Sequence, residues 1–257
     1  MSGWQQQVPL WCLTPREPIG LVEFIGGTGL ALTPQLSYRR LLEALVRQGA
    51  QVRAWGYVPG FDHQAQANEA WRAFRQARER RPPRSGLAPL RIGHSLGCKL
   101  HLLAPDGGRN CAGLVALSFN NFAAASSIPL LGELAPRLGL SSEFSPSPNE
   151  TLRLIASGYG QRRNLLVRFS RDAIDQSEEL LSVLRRRPND NSRVLDLPGD
   201  HLTPASAGVR QNLLGSWADD PERVRQMRQL CERLMRWWQE PEVSKPRNES
   251  NESAEID

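Results

Sequence analysis

The sequence predicts an α/β fold, a mostly parallel sheet covered by helices on both faces, and three observations carry that expectation. Short apolar runs rich in branched residues alternate with longer segments of helical period. One alternation turns through Gly93-His94-Ser95-Leu96-Gly97, where glycines bracket a serine between a strand and a helix. A chain of 257 residues, 40% of them hydrophobic, is also long enough to bury one large core.

The elements follow in order. Residues 5–13 predict an edge strand, and residues 19–25, ended by Gly26-Gly27, predict a buried one. Residues 34–48 carry Leu36, Leu41, Leu42, Leu45 and Val46 at helical spacing, with Gly49 as a stop. Residues 51–56 read as a strand. Asp62 is placed to cap a helix over 64–80, which Pro82-Pro83 ends. Residues 89–92 form a short strand that turns into a helix over 96–104. Residues 112–117 and Asn164–Phe169 are further strands, followed by a helix near 176–186. Arg193–Leu197 is the last strand and 219–239 the last helix.

The alternation breaks at 118–160, too long for a simple connection, and a helical cap insertion over the sheet edge is the expectation there. Asn120-Asn121-Phe122 would leave the sheet near Ser95, and Ile128, Leu130, Leu131, Leu134, Leu138 and Leu140 would supply an apolar face. A helix over 151–157 would anchor it. The organisation expected is one domain over 1–239 and a polar, acidic, disordered tail over 240–257.

Net charge is +5, with −4 in that tail and +9 in the rest. The excess is arginine, mainly in Arg78-Glu79-Arg80-Arg81-Pro82-Pro83-Arg84 and Arg185-Arg186-Arg187. Both runs fall where helices should end and read as solvated surface, compatible with peripheral contact at an anionic membrane. No recognition module or aromatic-interleaved basic motif points to nucleic acid. No run of 18 apolar residues spans a bilayer, and the polar Met1 to Pro9 predicts a cytoplasmic protein. Cys12, Cys98, Cys111 and Cys231 show no CxxC pair, so buried free thiols are expected rather than a metal site or disulfides.

Ser95 is the candidate nucleophile. The tight turn lifts its hydroxyl above the sheet and sets the Leu96 amide at a helix N-terminus, where an oxyanion can be stabilised. A serine needs a base oriented by a third group. His201, in the loop after the last strand, is the candidate base. His63 beside Asp62 is the alternative. His94 lies inside the turn and points away from the serine side, and His101, roughly 240° around the helix from Ser95, packs against a neighbour. Asp172, three residues past Asn164–Phe169, is the candidate acid; Asp175 is the alternative acid and otherwise caps the next helix. The order Ser95, Asp172, His201 is that of α/β hydrolases. The second oxyanion donor is expected from the loop after the first buried strand, at Gly27 or Thr28. Such acyl transfer needs no cofactor.

Gly93-His94-Ser95-Leu96-Gly97-Cys98-Lys99-Leu100-His101 stands with Phe24-Ile25-Gly26-Gly27, Pro34-Gln35-Leu36-Ser37-Tyr38-Arg39, Phe61-Asp62-His63, Ile174-Asp175-Gln176-Ser177 and Gly199-Asp200-His201-Leu202-Thr203-Pro204. Together they resemble an uncharacterised branch of the α/β-hydrolase superfamily found in photosynthetic lineages. The resemblance covers about residues 5–235. It implies the hydrolase fold and supports Ser95 and His201, supplies no substrate, and leaves the acid between Asp172 and Asp175. The function expected is hydrolysis of an ester, thioester or amide with an apolar, lipid-like substrate. The alternative is a non-catalytic binding or assembly factor on the same scaffold, with the basic face, an exposed Trp237-Trp238 pair and the acidic tail as contact surfaces.

Overall fold

Side chains alternate across a strand, so each strand feeds two apolar layers at once and helices must close both. The computed structural model describes residues 3–83, 86–123, 143–205 and 221–241. Its strands are β1 (Gln5–Gln7), β2 (Leu10–Leu13), β3 (Gly20–Ile25), β4 (Ala50–Trp55), β5 (Leu90–His94), β6 (Gly113–Leu117), β7 (Asn164–Phe169) and β8 (Arg193–Leu197). They form one sheet in the order β1-β2-β4-β3-β5-β6-β7-β8. Pairing is parallel from β4 to β8, and β1 and β2 add antiparallel at the β4 edge. The single edge strand expected over 5–13 is therefore two strands. Val8 and Pro9 make the turn between them, since proline has no N–H to give to a ladder.

The helices are α1 (Pro34–Ser37), α2 (Arg39–Arg47), α3 (His63–Arg80), α4 (Leu96–Leu102), α5 (Pro148–Gly158), α6 (Ser177–Arg185) and α7 (Pro221–Gln239). Val115 and Leu117 of β6 pack in one apolar cluster with α2 and α7, while Leu114 and Ala116 pack in another with α5 and α6. A third cluster joins Leu96 and Leu100 of α4 to Ala70 and Phe74 of α3. At nine residues α2 is too short to persist alone. Leu41, Leu42 and Leu45, all wholly buried, hold it, each contributing about 1.5–3 kcal/mol.

Three expectations are corrected here. Residues 34–48 are two helices, because Tyr38 (φ −121°, ψ 19°) breaks the run and sends its ring into the core against Phe24. The arginine runs are not simply solvated. Arg78 pairs with Glu23, a carboxylate buried inside β3, and Arg187 donates to the carbonyls of Tyr159 and Gln161 at 2.6 and 2.9 Å. Trp237 is buried and Trp238 half-buried against the sheet, with the Arg163 guanidinium 4.4 Å from a Trp237 ring centroid, so they offer no exposed pair.

Asp62 caps α3 by accepting from the Ala65 amide at 2.8 Å, and all four cysteines are buried and free. No helix among the described residues is long and apolar enough to cross a membrane. Residue Ser147 and Glu150 form a capping box on α5, whose Ile155 packs with Leu166 and Leu180 in the sheet-covering layer. The expected cap leucines and most of the tail lie outside the described residues.

Candidate active site

Parallel strands deliver their following loops to one edge of a sheet, and ligands bind in the crevice there. β5 is flanked by β3 and β6, so the loops after all three converge, with those after β7 and β8 beside them. Ser95 stands at the junction of β5 and α4 with φ 54° and ψ −121°, a conformation that costs an L residue about 1–3 kcal/mol. Its amide donates to the Leu117 carbonyl at 3.0 Å, which pins the turn to β6. The flanking glycines are required by close approach. A Cβ at Gly93 would lie 2.5 Å from the Cys98 amide nitrogen, and one at Gly97 would run into the Ile25 carbonyl.

The loops after β7 and β8 are stitched together by Ser170 N–H to the Leu197 carbonyl (3.0 Å) and Arg171 N–H to the Gly199 carbonyl (2.9 Å). This brings Asp172 to His201. The Nδ1–H of His201 donates to Asp172 Oδ2 at 2.8 Å, and the Ile174 amide donates to Oδ1 at 3.1 Å. A carboxylate only accepts, so Nδ1 carries a proton, and in the neutral ring this leaves the lone pair on Nε2. Burial raises the Asp172 pKa, but the His201 hydrogen bond, the Ser118 hydroxyl and the Ile174 amide outweigh it, leaving the carboxyl below its ordinary range. Asp175 is different. The Ser177 amide and hydroxyl donate to its two oxygens at 2.9 and 3.0 Å, and burial pushes its pKa up.

Ser95, Leu96, Thr28 and His201 line one cavity of about 510 Å³, together with Asn120, Asn121 and Phe122 after β6. His63 lines it too, as the first residue of α3, its ring tilted against that of Phe144 with the centroids 4.3 Å apart. His101 is on the far side of α4 against Phe74. Gly27 approaches so closely that a Cβ there would lie 2.9 Å from that of Ser95. Its amide, however, donates to the Tyr38 hydroxyl at 2.8 Å, against the expectation that it serves an oxyanion, while Thr28 of the same loop lines the cavity. Among the described residues no group of three or more His, Cys, Asp or Glu is arranged to hold a metal ion.

Tyr38 and His94 support the loop that carries His201 in a way that the sequence does not signal. The Tyr38 hydroxyl lies 2.8 Å from His94 Nδ1, and His94 Nε2 lies 2.8 Å from the His201 carbonyl. A carbonyl only accepts, so Nε2 carries the proton, Nδ1 accepts from Tyr38, and Tyr38 accepts from Gly27. One directed chain of hydrogen bonds thus runs from the loop after β3 to the backbone of His201. No local motif announces it, since Tyr38 and His94 are 56 residues apart. Tyr38→Phe should leave two buried groups unpaired and cost on the order of 3 kcal/mol, read from urea denaturation.

His94, His63 and His101 are each pushed down to about 3, first by burial, then by His201, Lys99 and Arg91 respectively. The folded chain therefore keeps them neutral while an unfolded chain binds protons below about 6.5. Stability is fully present above that value and falls as the pH drops toward 3. Between pH 7 and 5.5 three such histidines should remove about 4 kcal/mol, and urea midpoints at the two values measure it.

A family model described as "Protein of unknown function (DUF1350)" matches residues 3–241. A search of curated proteins gave no match. Among solved structures, the chain is similar to a monoacylglycerol lipase of Paleococcus ferrophilus (TM-score 0.57, 16% identity, covering 89% of this chain and 99% of that one). It is also similar to the Staphylococcus aureus fluorophosphonate-binding serine hydrolase FphF (TM-score 0.58, 17% identity, 89% and 91% covered). The esterase Pf2001 of Pyrococcus furiosus gives a TM-score of 0.59 at 15% identity, covering 89% of this chain and 84% of that one. The fold is that of the α/β hydrolases.

Proposed function

The chain belongs to the DUF1350 family of unknown function, and we propose that it is a serine hydrolase acting on an ester, thioester or amide. The observation that carries this reading is the His201–Asp172 hydrogen bond in a ring that shares a cavity with a strained, strand-end Ser95. In the proposed reaction Ser95 Oγ attacks the carbonyl carbon and its proton passes to His201 Nε2. Asp172 holds the tautomer and stabilises the imidazolium. The oxyanion accepts from the Leu96 amide, a first-turn N–H of α4, and from that of Thr28. His201 then returns the proton to the leaving group, and water, activated in the same way, releases the acyl group.

The walls support an apolar acyl group. Phe61, Phe122, Phe144, Ile174 and Leu96 line the cavity, and each methylene that they cover adds up to about 0.8 kcal/mol. A fluorophosphonate probe tests the reading without a substrate. Wild type should be labelled, and His201→Ala should be labelled at a small fraction of the rate. An unlabelled wild type would overturn it in favour of a binding or assembly factor on the hydrolase scaffold.

A further inference from the structure

Side chains of a helix tilt toward its N-terminus. Ser95 stands just before α4 and Lys99 is the fourth residue of that helix, and both line the same cavity. Lys99 is only 1% exposed, and its Nζ donates to the Pro146 carbonyl at 3.0 Å. A neutral carbonyl is poor compensation for burying an ammonium, which has three N–H groups to satisfy. Glu143 is the carboxylate that acts on Lys99 electrostatically, and it does not line the cavity. Among the described residues that do line it, none is Asp or Glu. His63 lines the same cavity and packs on Phe144, two residues before the Pro146 whose carbonyl Lys99 meets.

We propose that Lys99, together with His63, is an anion-recognition point in the cavity, so that the substrate carries a carboxylate or phosphate close to its scissile acyl bond. The inference rests on the serine-hydrolase reading and narrows it to substrates with an apolar body and one anionic group. An ammonium is a compact point charge that accepts either anion, so the two chemistries share the site and experiment separates them. Burial brings the Lys99 pKa down to about 8, which still leaves most of it charged at pH 7. His63, kept neutral, offers a ring nitrogen rather than a second full charge. The same lysine would also repel cationic substrates and leave neutral ones without a partner for it.

The test uses matched esters of the full-length chain's own reaction class. Mono-p-nitrophenyl glutarate is compared with its neutral methyl ester in wild type, Lys99→Met and Lys99→Arg. Wild type should favour the anionic ester in kcat/KM by about tenfold or more, Lys99→Met should lose that ratio, and Lys99→Arg should retain part of it. A second arm needs no turnover. Ser95→Ala is titrated calorimetrically with monomethyl glutarate, 2-acetoxyethyl phosphate and dimethyl glutarate, with and without Lys99→Met. At least one anionic ligand should bind about tenfold more weakly without the lysine, and the stronger of the two identifies the anion. Dimethyl glutarate should not respond. No turnover together with lysine-dependent binding would remove the hydrolase reading and keep the anion site. Turnover with no charge preference in wild type, or anion binding indifferent to Lys99, would overturn the proposal.

Discussion

Ser95→Ala is expected to lower kcat by about 10⁵–10⁶ and to leave the folded chain as stable as before. Ser95→Gly should lose as much activity and yet gain about 1–2 kcal/mol of stability. The difference follows from the backbone. With φ at 54° and ψ at −121°, residue 95 is held where a Cβ is unwelcome, and alanine keeps that Cβ while glycine removes it. The surrounding structure enforces the conformation through the Ser95–Leu117 hydrogen bond and the tight contact of Gly97 with Ile25. A serine held under strain in the wall of a cavity is what the proposed catalytic role requires at some cost in stability. Turnover of p-nitrophenyl esters and urea denaturation of the three proteins measure the two effects. An alanine variant with most of its activity left would show that the strain serves something else.

What was legible in the sequence were features with a local cause. The strand ranges Asn164–Phe169 and Arg193–Leu197 agree with the structure residue for residue, because apolar runs between turn signals leave little choice of period. The turn at Ser95 was legible because two glycines must bracket it. Asn120, Asn121 and Phe122 were traced to the cavity by following the chain off β6, and they do line it.

What was not legible depends on groups that meet only after folding. Glu23 passes unnoticed in the apolar run of β3, so nothing flagged Arg78 as its partner. Arg91 likewise is spoken for by Asp106, in a bidentate pair at 2.9 and 2.7 Å. The helical spacing of residues 34–48 continues through Tyr38, and only its hydroxyl's place between Gly27 and His94 explains the break. The same contact withdraws the Gly27 amide from the proposed oxyanion site. A glycine-rich loop shows that the backbone can come close, but not which amide is left to donate.

The choice between two acids three residues apart makes the last prediction. Asp172→Asn should lower kcat by about 10⁴, whereas Asp175→Asn should change it by less than about threefold. Both carboxyls follow β7 and both are partly sequestered, so proximity does not separate them; their partners do. Asp172 Oδ2 takes the Nδ1–H of His201, and an amide at 172 could present its NH₂ there instead, favouring the wrong tautomer and stripping the imidazolium of its counter-charge. Asp175 spends both oxygens on Ser177, where α6 begins, and asparagine still offers one acceptor for that amide. Its substitution should therefore cost about 1 kcal/mol of stability at most. The carboxyl environments agree, since Asp172 is held ionised below the ordinary range and Asp175 is pushed the other way by burial. With Asp172 ionised in this way, its protonation should leave the rate untouched until the pH falls below the ordinary carboxylate value. Steady-state rates for the two variants, each with its urea midpoint, decide the matter. A larger kinetic loss in Asp175→Asn than in Asp172→Asn would transfer the role of acid to Asp175 and unseat the His201–Asp172 pair.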